Sequence, residues 1–186
     1  MSRVKIVDYP ESSGRLKEIY DDIISSRGKL ADIHKAQSLR PESIVHHMDL
    51  YMEVMFSRSE LSRAEREMMA VIVSITNGCR YCRLHHLEAL RHYWRDNDKI
   101  DRFLDDYENA GLSERQLELC RFARHLTLHP GAHEENDYTT PLKKYDLTDA
   151  GLLDAILVVA YFNFVNRIVL GTGLEPDDEE IKGYKY

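Results

Sequence analysis

Cysteine is scarce in this chain, with three among 186 residues, and that excludes a scaffold built on disulfides, which small secreted domains use in place of a core. Two of the three stand as Cys79 and Cys82, a spacing suited to redox or metal chemistry. Positive charge is in deficit: 25 lysines and arginines face 32 acidic residues, for a net charge of −7 and a pI near 5.7. No basic stretch interleaved with aromatics offsets it, so a nucleic-acid partner is not expected. No apolar run approaches the ~20 residues of a membrane span. Met1-Ser-Arg-Val-Lys5 lacks the apolar stretch of a signal peptide. The expectation is a cytoplasmic protein with no membrane partner. Strand periodicity is missing as well. Every periodic segment repeats like a helix and the loops are short, which gives an all-α class. Hydrophobic residues at 43% and charged ones at 31% suit one globular domain over residues 1–186.

What is present is a series of helices with readable ends. An extended arm, Val4 to Tyr9, stops at Pro10. A helix starting near Ser12 or Ser13 carries Leu16, Ile19, Tyr20, Ile23 and Ile24 and ends at Gly28. A short helix around Ala31 to Leu39 follows, and its His34 is expected at the surface or the edge of the core. Pro41 opens a helix to Phe56 whose Ile44, Met48, Tyr51, Met52 and Met55 form a stripe. The stripe reads as core that also walls a cleft, because methionine adapts to varied neighbours. His46 and His47 have no partner at ligand spacing and read as solvated.

Asp96 to Asn109 reads as a helix closed by Gly111. Leu112-Ser113-Glu-Arg-Gln116 starts another with a capping box, and Cys120 on it reads as a buried structural thiol. His129 to Glu135 is a loop, and Asp137 to Tyr145 a short helix. Leu147-Thr148-Asp-Ala150 begins a long apolar helix to Leu170 that Gly171 and Gly173 stop. Its start echoes Leu61-Ser62-Arg-Ala64, a hint of internal duplication. Asn163, Asn166 and Arg167 interrupt it, read as helix-capping groups and a subunit salt bridge, or as a polar lining for a thiol cleft. The tail from Glu175 to Tyr186 is acidic, loose or docked on a partner chain.

The stretch that organises the rest is Glu67-Met-Met-Ala-Val-Ile-Val-Ser-Ile-Thr-Asn-Gly-Cys79-Arg-Tyr-Cys82-Arg-Leu-His-His86. Ser62 and Glu65 pair as a capping box, which leaves Glu67 free for another role. Only Ser74 is polar from Met68 to Ile75, so this helix is expected to be buried nearly all round. Asn77-Gly78 stops it and Cys79 opens the next. At ~100° per residue, Cys79, Cys82 and His86 fall within ~60° of one another, while His85 turns ~100° away. Folding back at Asn77-Gly78 puts Glu67 about 15 Å and His86 about 12 Å along their helices, at one level. The order Glu67–His86–Cys82 is a relay for thiolate formation. A thiolate is the nucleophile, a helix N-terminus and an adjacent imidazole both favour it, and a carboxylate orients the imidazole. Cys82, nearer His86, is expected to attack, and Cys79 to resolve the sulfenic acid into a disulfide.

The pattern E-x11-C-x2-C-x3-H, matched by Glu67, Cys79, Cys82 and His86, resembles the signature of the alkylhydroperoxidase D group in the carboxymuconolactone decarboxylase superfamily. Leu61-Ser-Arg-Ala-Glu-Arg-Glu67 and Asn77-Gly-Cys-Arg-Tyr-Cys82 are similar too, and Ala160-Tyr-Phe-Asn-Phe-Val-Asn-Arg-Ile168 resembles the "peroxidase-related" branch. The resemblance implies a helical bundle with the cysteine pair at a helix N-terminus, and peroxide reduction through a disulfide. In that family the second cysteine is peroxidatic and the first resolves, which corresponds to Cys82 and Cys79. It also implies a homo-oligomer, trimer or hexamer, and a dithiol reductant such as a lipoyl- or thioredoxin-like protein. No cofactor and no metal is expected. One position departs: the best-known members carry a histidine directly before the second cysteine, where this chain has Tyr81, which donates a hydrogen bond or simply packs.

Three other readings compete. Cys79, Cys82, His86 and Glu67 offer four zinc ligands, but three share one helix face, which makes tetrahedral closure awkward. A redox-sensing oligomer would use the same thiols without turnover. A lactone decarboxylase would need proton-transfer groups rather than a dithiol.

Overall fold

The computed structural model describes residues 2–132, 137–176 and 178–181, and no strand occurs among them. Ten α-helices are seen among these residues: α1 (Gly14–Arg27), α2 (Asp32–Lys35), α3 (Pro41–Phe56), α4 (Arg63–Thr76), α5 (Arg80–Trp94), α6 (Asn97–Asp105), α7 (Glu114–Leu128), α8 (Thr140–Lys143), α9 (Asp149–Thr172) and α10 (Asp178–Ile181). The expected helix from Asp96 to Asn109 is α6 followed by a 3-10 turn, Tyr107–Asn109. Residues 133–135 of the expected loop, and 177 and 182–186 of the expected tail, lie outside the described residues.

α4 is the axis of the bundle and packs against α5, α7, α9 and α3. Its residues from Glu65 to Ser74 are all buried, which the uninterrupted apolar run required. Its start is fixed twice: Ser62 Oγ accepts from the Glu65 N–H, and the Glu65 carboxylate accepts from the Ser62 N–H at 2.8 Å. Ser113 and Gln116 repeat the box at α7, and Thr148 caps α9. Gly78, at φ 69°, takes the left-handed conformation that lets the chain leave α4 and begin α5 after only three residues.

The sequence leaves the resting place of the N-terminal arm open, and two other expectations need correction. The N-terminal arm lies on its own chain: Arg3 N–H donates to the Thr172 carbonyl at 2.7 Å, and Tyr20 Oη to the Val7 carbonyl at 2.9 Å. The start of the tail also docks at home. The Glu180 carboxylate on α10 accepts from the Asp32 N–H at 2.8 Å, and its carbonyl accepts from Lys29 Nζ at 2.7 Å. Among the described residues one helix, α9, is long and apolar enough to cross a membrane, although half of its most apolar stretch is buried inside the bundle as a core helix is. Its two asparagines and arginine had hidden that length from a search for an unbroken run.

Candidate functional site

The hairpin of α4 and α5 brings Glu67 and His86 together. His86 Nδ1 lies 2.7 Å from Glu67 Oε2, and Glu67 is fully buried. The other carboxylate oxygen is held by Arg63, whose Nε and Nη2 donate at 2.8 and 2.6 Å. This second partner was missed in the sequence, although Arg63 stands four residues before Glu67 on one helix face. Burial alone would raise the Glu67 carboxyl. The imidazole and the guanidinium outweigh it and hold the group below the ordinary carboxylate range.

Cys79 is the N-cap residue of α5, and Cys82 lies in its first turn. Both thiols are free, and both are more buried than expected, at 1% and 2% exposure. They are hydrogen-bonded to each other, and the pair shares its protons unevenly. The bond from Cys82 lowers the Cys79 thiol, and the same bond, with burial, raises Cys82 well above its usual value. The first proton therefore leaves the pair readily and the second does not. Among the described residues, no hydrogen bond joins the His86 ring to either sulfur; the ring packs edge-on against Phe162 with centroids 4.4 Å apart.

Asn166 is the polar group that acts on the thiols. It is fully buried, and its amide favours the Cys82 thiolate. Its amide also donates to Ser74 Oγ at 3.3 Å and accepts from Asn77 Nδ2 at 3.1 Å. Asn77 donates again to Asn163 Oδ1 at 3.1 Å, so an amide ladder ties the hairpin bend to α9. Of the two readings of these asparagines, the capped carbonyl fits Asn163, whose Nδ2 donates to the Val159 carbonyl at 3.0 Å, and Asn166 is buried without lining the cavity. Arg167 bonds Asn163 within its own helix at 2.7 Å.

A cavity of about 100 Å³ opens on this group, with Cys82, His86 and Glu67 on its wall. Met48 and Tyr51 of the α3 stripe also line it. So do three histidines that were assigned elsewhere. His85 sits beside Glu180, its Nε2 3.5 Å from the carboxylate, with its ring 4.4 Å from that of Tyr81. Tyr81 both bonds and packs: its hydroxyl donates to Glu180 and accepts from the Ile33 N–H at 3.2 Å. His34 and His47 meet edge-on at 5.8 Å, and His47 is buried rather than solvated, with Nδ1 2.8 Å from Gln37 Nε2. The signal for His47 was its place three residues after Ile44 and four before Tyr51, on the buried stripe. Among the described residues, no three His, Cys, Asp or Glu side chains come together as a metal-holding set.

Burial pushes His47 down to about 4, and burial together with His47 pushes His34 down to about 3. Both lie below the 6.5 of a free imidazole, so the unfolded chain takes up these protons first as the pH falls. Stability is then complete above that value and is lost as the pH drops toward 4, at about 1.4 kcal/mol per pH unit for each group. His47→Gln is expected to flatten this loss in urea unfolding followed between pH 6.5 and 4. An acid profile identical to the wild type would mean that His47 titrates alike in both states.

Residues 44–125 match the model of the Carboxymuconolactone decarboxylase family. The fold is similar to that of an uncharacterized peroxidase-related protein with an alkylhydroperoxidase AhpD core from Ralstonia eutropha JMP134, with a TM-score of 0.83 and 24% identity over 97% of this chain and 94% of that one. It is also similar to an uncharacterized peroxidase-related protein from Silicibacter sp. TM1040, with a TM-score of 0.80 and 26% identity over 97% of both chains. The debrominase Bmp8, solved with 2,3,4-tribromopyrrole, has a TM-score of 0.78 and 16% identity over 98% of this chain and 100% of that one. The last likeness is one of fold alone, and a fold does not select a reaction.

Proposed function

We propose, for a chain that belongs to the alkylhydroperoxidase D-like part of the carboxymuconolactone decarboxylase superfamily, that it reduces hydrogen or organic peroxides through a Cys79–Cys82 disulfide. The observation that carries this reading is the cavity itself: Cys82 and the Glu67-bound His86 share its wall, and Cys79 lies behind Cys82 and outside it. A peroxide in that space would bridge the imidazole and the sulfur, and so complete a relay that lacks a direct bond.

In this scheme the Cys82 thiolate attacks one peroxide oxygen. The O–O bond breaks, and the leaving oxygen takes a proton from the His86 imidazolium, which Glu67 steadies. Cys82 becomes a sulfenic acid. The Cys79 sulfur then attacks it, the S–S bond forms, and hydroxide leaves with a second proton as water. Two thiols and one peroxide give one disulfide, one alcohol (or water) and one water. A dithiol donor, lipoyl- or thioredoxin-like, restores the pair by exchange. The sulfurs gain their reactivity from the helix N-terminus, the Asn166 amide and the shared proton. Assembly into a homo-oligomer in the cytosol belongs to the same proposal. It is supported by the exposed Leu153, Leu157, Phe164 and Leu170 on α9 and Leu50 and Phe56 on α3.

The test is peroxide consumption with a panel of dithiol donors, read alongside the intact mass of the protein. Turnover with at least one donor, and a loss of two hydrogens on treatment with peroxide alone, are expected. Oxidation that stops at one event with every donor would replace the enzyme by a redox sensor.

A further inference from the structure

The wall of the cavity carries a positive charge that no acid on the described chain answers. Arg27, the last residue of α1, lines it. Its guanidinium lies 5.6 Å from the Tyr51 ring centroid and 4.8 Å from that of Phe56, and Nη1 is 4.0 Å from the Met52 sulfur. These contacts hold the group in place without neutralising it. The lining carboxylate, Glu67, is already taken by Arg63 and His86.

A second observation is independent of charge. Nδ1 of His34 is buried and has no hydrogen-bond partner among the described residues, and His34 lines the same cavity. Buried polar atoms in native proteins are nearly always paired, so an orphan at a cavity wall marks a place for a ligand atom. Burial keeps this imidazole neutral, with one N–H to give; His47 and Arg27 add to that, and the Glu180 carboxylate opposes it without prevailing. The rest of the wall is largely aromatic: Tyr51, Tyr161 and Phe162.

We propose that the cavity takes a small organic anion, its carboxylate seated between the Arg27 guanidinium and the His34 imidazole and its apolar body running past Tyr51 and Phe162 toward Cys82. This rests on the reading of the cavity as the substrate pocket of Cys82, and it makes the preferred substrate a short hydroperoxide bearing an acid group. A volume of about 100 Å³ sets the size. It is below the ~150 Å³ of a protein cavity that holds benzene, so a short chain fits and a fused ring does not.

Propanoate and 1-propanol, titrated calorimetrically into the reduced protein, test this without any turnover. Propanoate is expected to bind about ten-fold or more tightly than propanol, the worth of one charge-assisted hydrogen bond. Arg27→Met should bring the ratio to about one, and His34→Gln should reduce it. The wild-type ratio should also shrink as salt rises from about 0.02 to 0.5 M, a readout that needs no variant to fold. Equal binding of acid and alcohol to the wild type, or an unchanged ratio in Arg27→Met, overturns the proposal. Failure to consume any peroxide would overturn the peroxidase reading instead, so the two fail separately.

Discussion

Cys82→Ser is expected to abolish peroxide consumption, by on the order of 10³-fold or more, while Cys79→Ser is expected to complete one half-turnover and stop. A serine hydroxyl in the Cys82 position has neither the acidity nor the polarisability to attack a peroxide oxygen near neutral pH. With Cys79 gone, the sulfenic acid formed at Cys82 has no neighbour to condense with, so it should be trapped by a dione reagent as a single adduct. The outcome is not trivial, because the paired thiols pull in opposite directions. The shared hydrogen bond makes Cys79 the easier of the two to ionise, yet Cys82 is the one on the cavity wall. Attack by Cys82 therefore requires its proton to pass to Cys79 or out through the cavity. A sulfenic acid trapped at Cys79 in Cys82→Ser, with none at Cys82 in Cys79→Ser, would reverse the two roles.

Glu67→Gln should cost about 3 kcal/mol or more of folding stability, read as a fall in the urea midpoint at neutral pH. The amide keeps the shape of the carboxylate but not its charge. It leaves the Arg63 guanidinium, with only 15% of its side chain exposed, without a counter-ion. It also removes the anion that His86 faces at 2.7 Å. The sign of the pH effect follows from the lowered carboxyl of Glu67. Its contribution is complete above the ordinary 4.5 and is lost as the pH falls through the lower folded value. The wild type should therefore weaken in acid more steeply than Glu67→Gln. Alkylation of the thiols at neutral pH should slow in the variant, because the imidazole loses the carboxylate that orients it. Equal urea midpoints would show that Arg63 finds another partner, and equal alkylation rates would remove Glu67 from the activation of the thiols.

The helices and the central contact were legible because both depend on local rules. Capping residues at Ser62, Ser113 and Thr148, and left-handed glycines at 28, 78 and 173, fix where helices start and stop. Once a bend is placed at Asn77-Gly78, the rise per residue decides which side chains of α4 and α5 lie level, and Glu67 and His86 follow. The rest of the site comes from helices far apart in the sequence. Asn166 arrives from α9, His34 and His47 from α2 and α3, Glu180 from α10, and no local spacing announces that they meet. His47 is the exception, since its buried stripe was readable. The missing bond between His86 and Cys82 is of another kind. Helical periodicity gives the face a side chain leaves from, but the rotamer it adopts once Phe162 packs against the ring is set by the neighbour.

The amide ladder of Asn77, Asn163 and Asn166 ties the bend that presents the two sulfurs to α9, and one of its rungs, Asn166, favours the Cys82 thiolate. In the proposed cycle a Cys79–Cys82 disulfide would take that thiolate from beside Asn166, which Ser74 and Asn77 hold. The Asn166 side-chain nitrogen would then serve as a built-in gauge, its magnetic resonance signal distinguishing the spent form from the ready one.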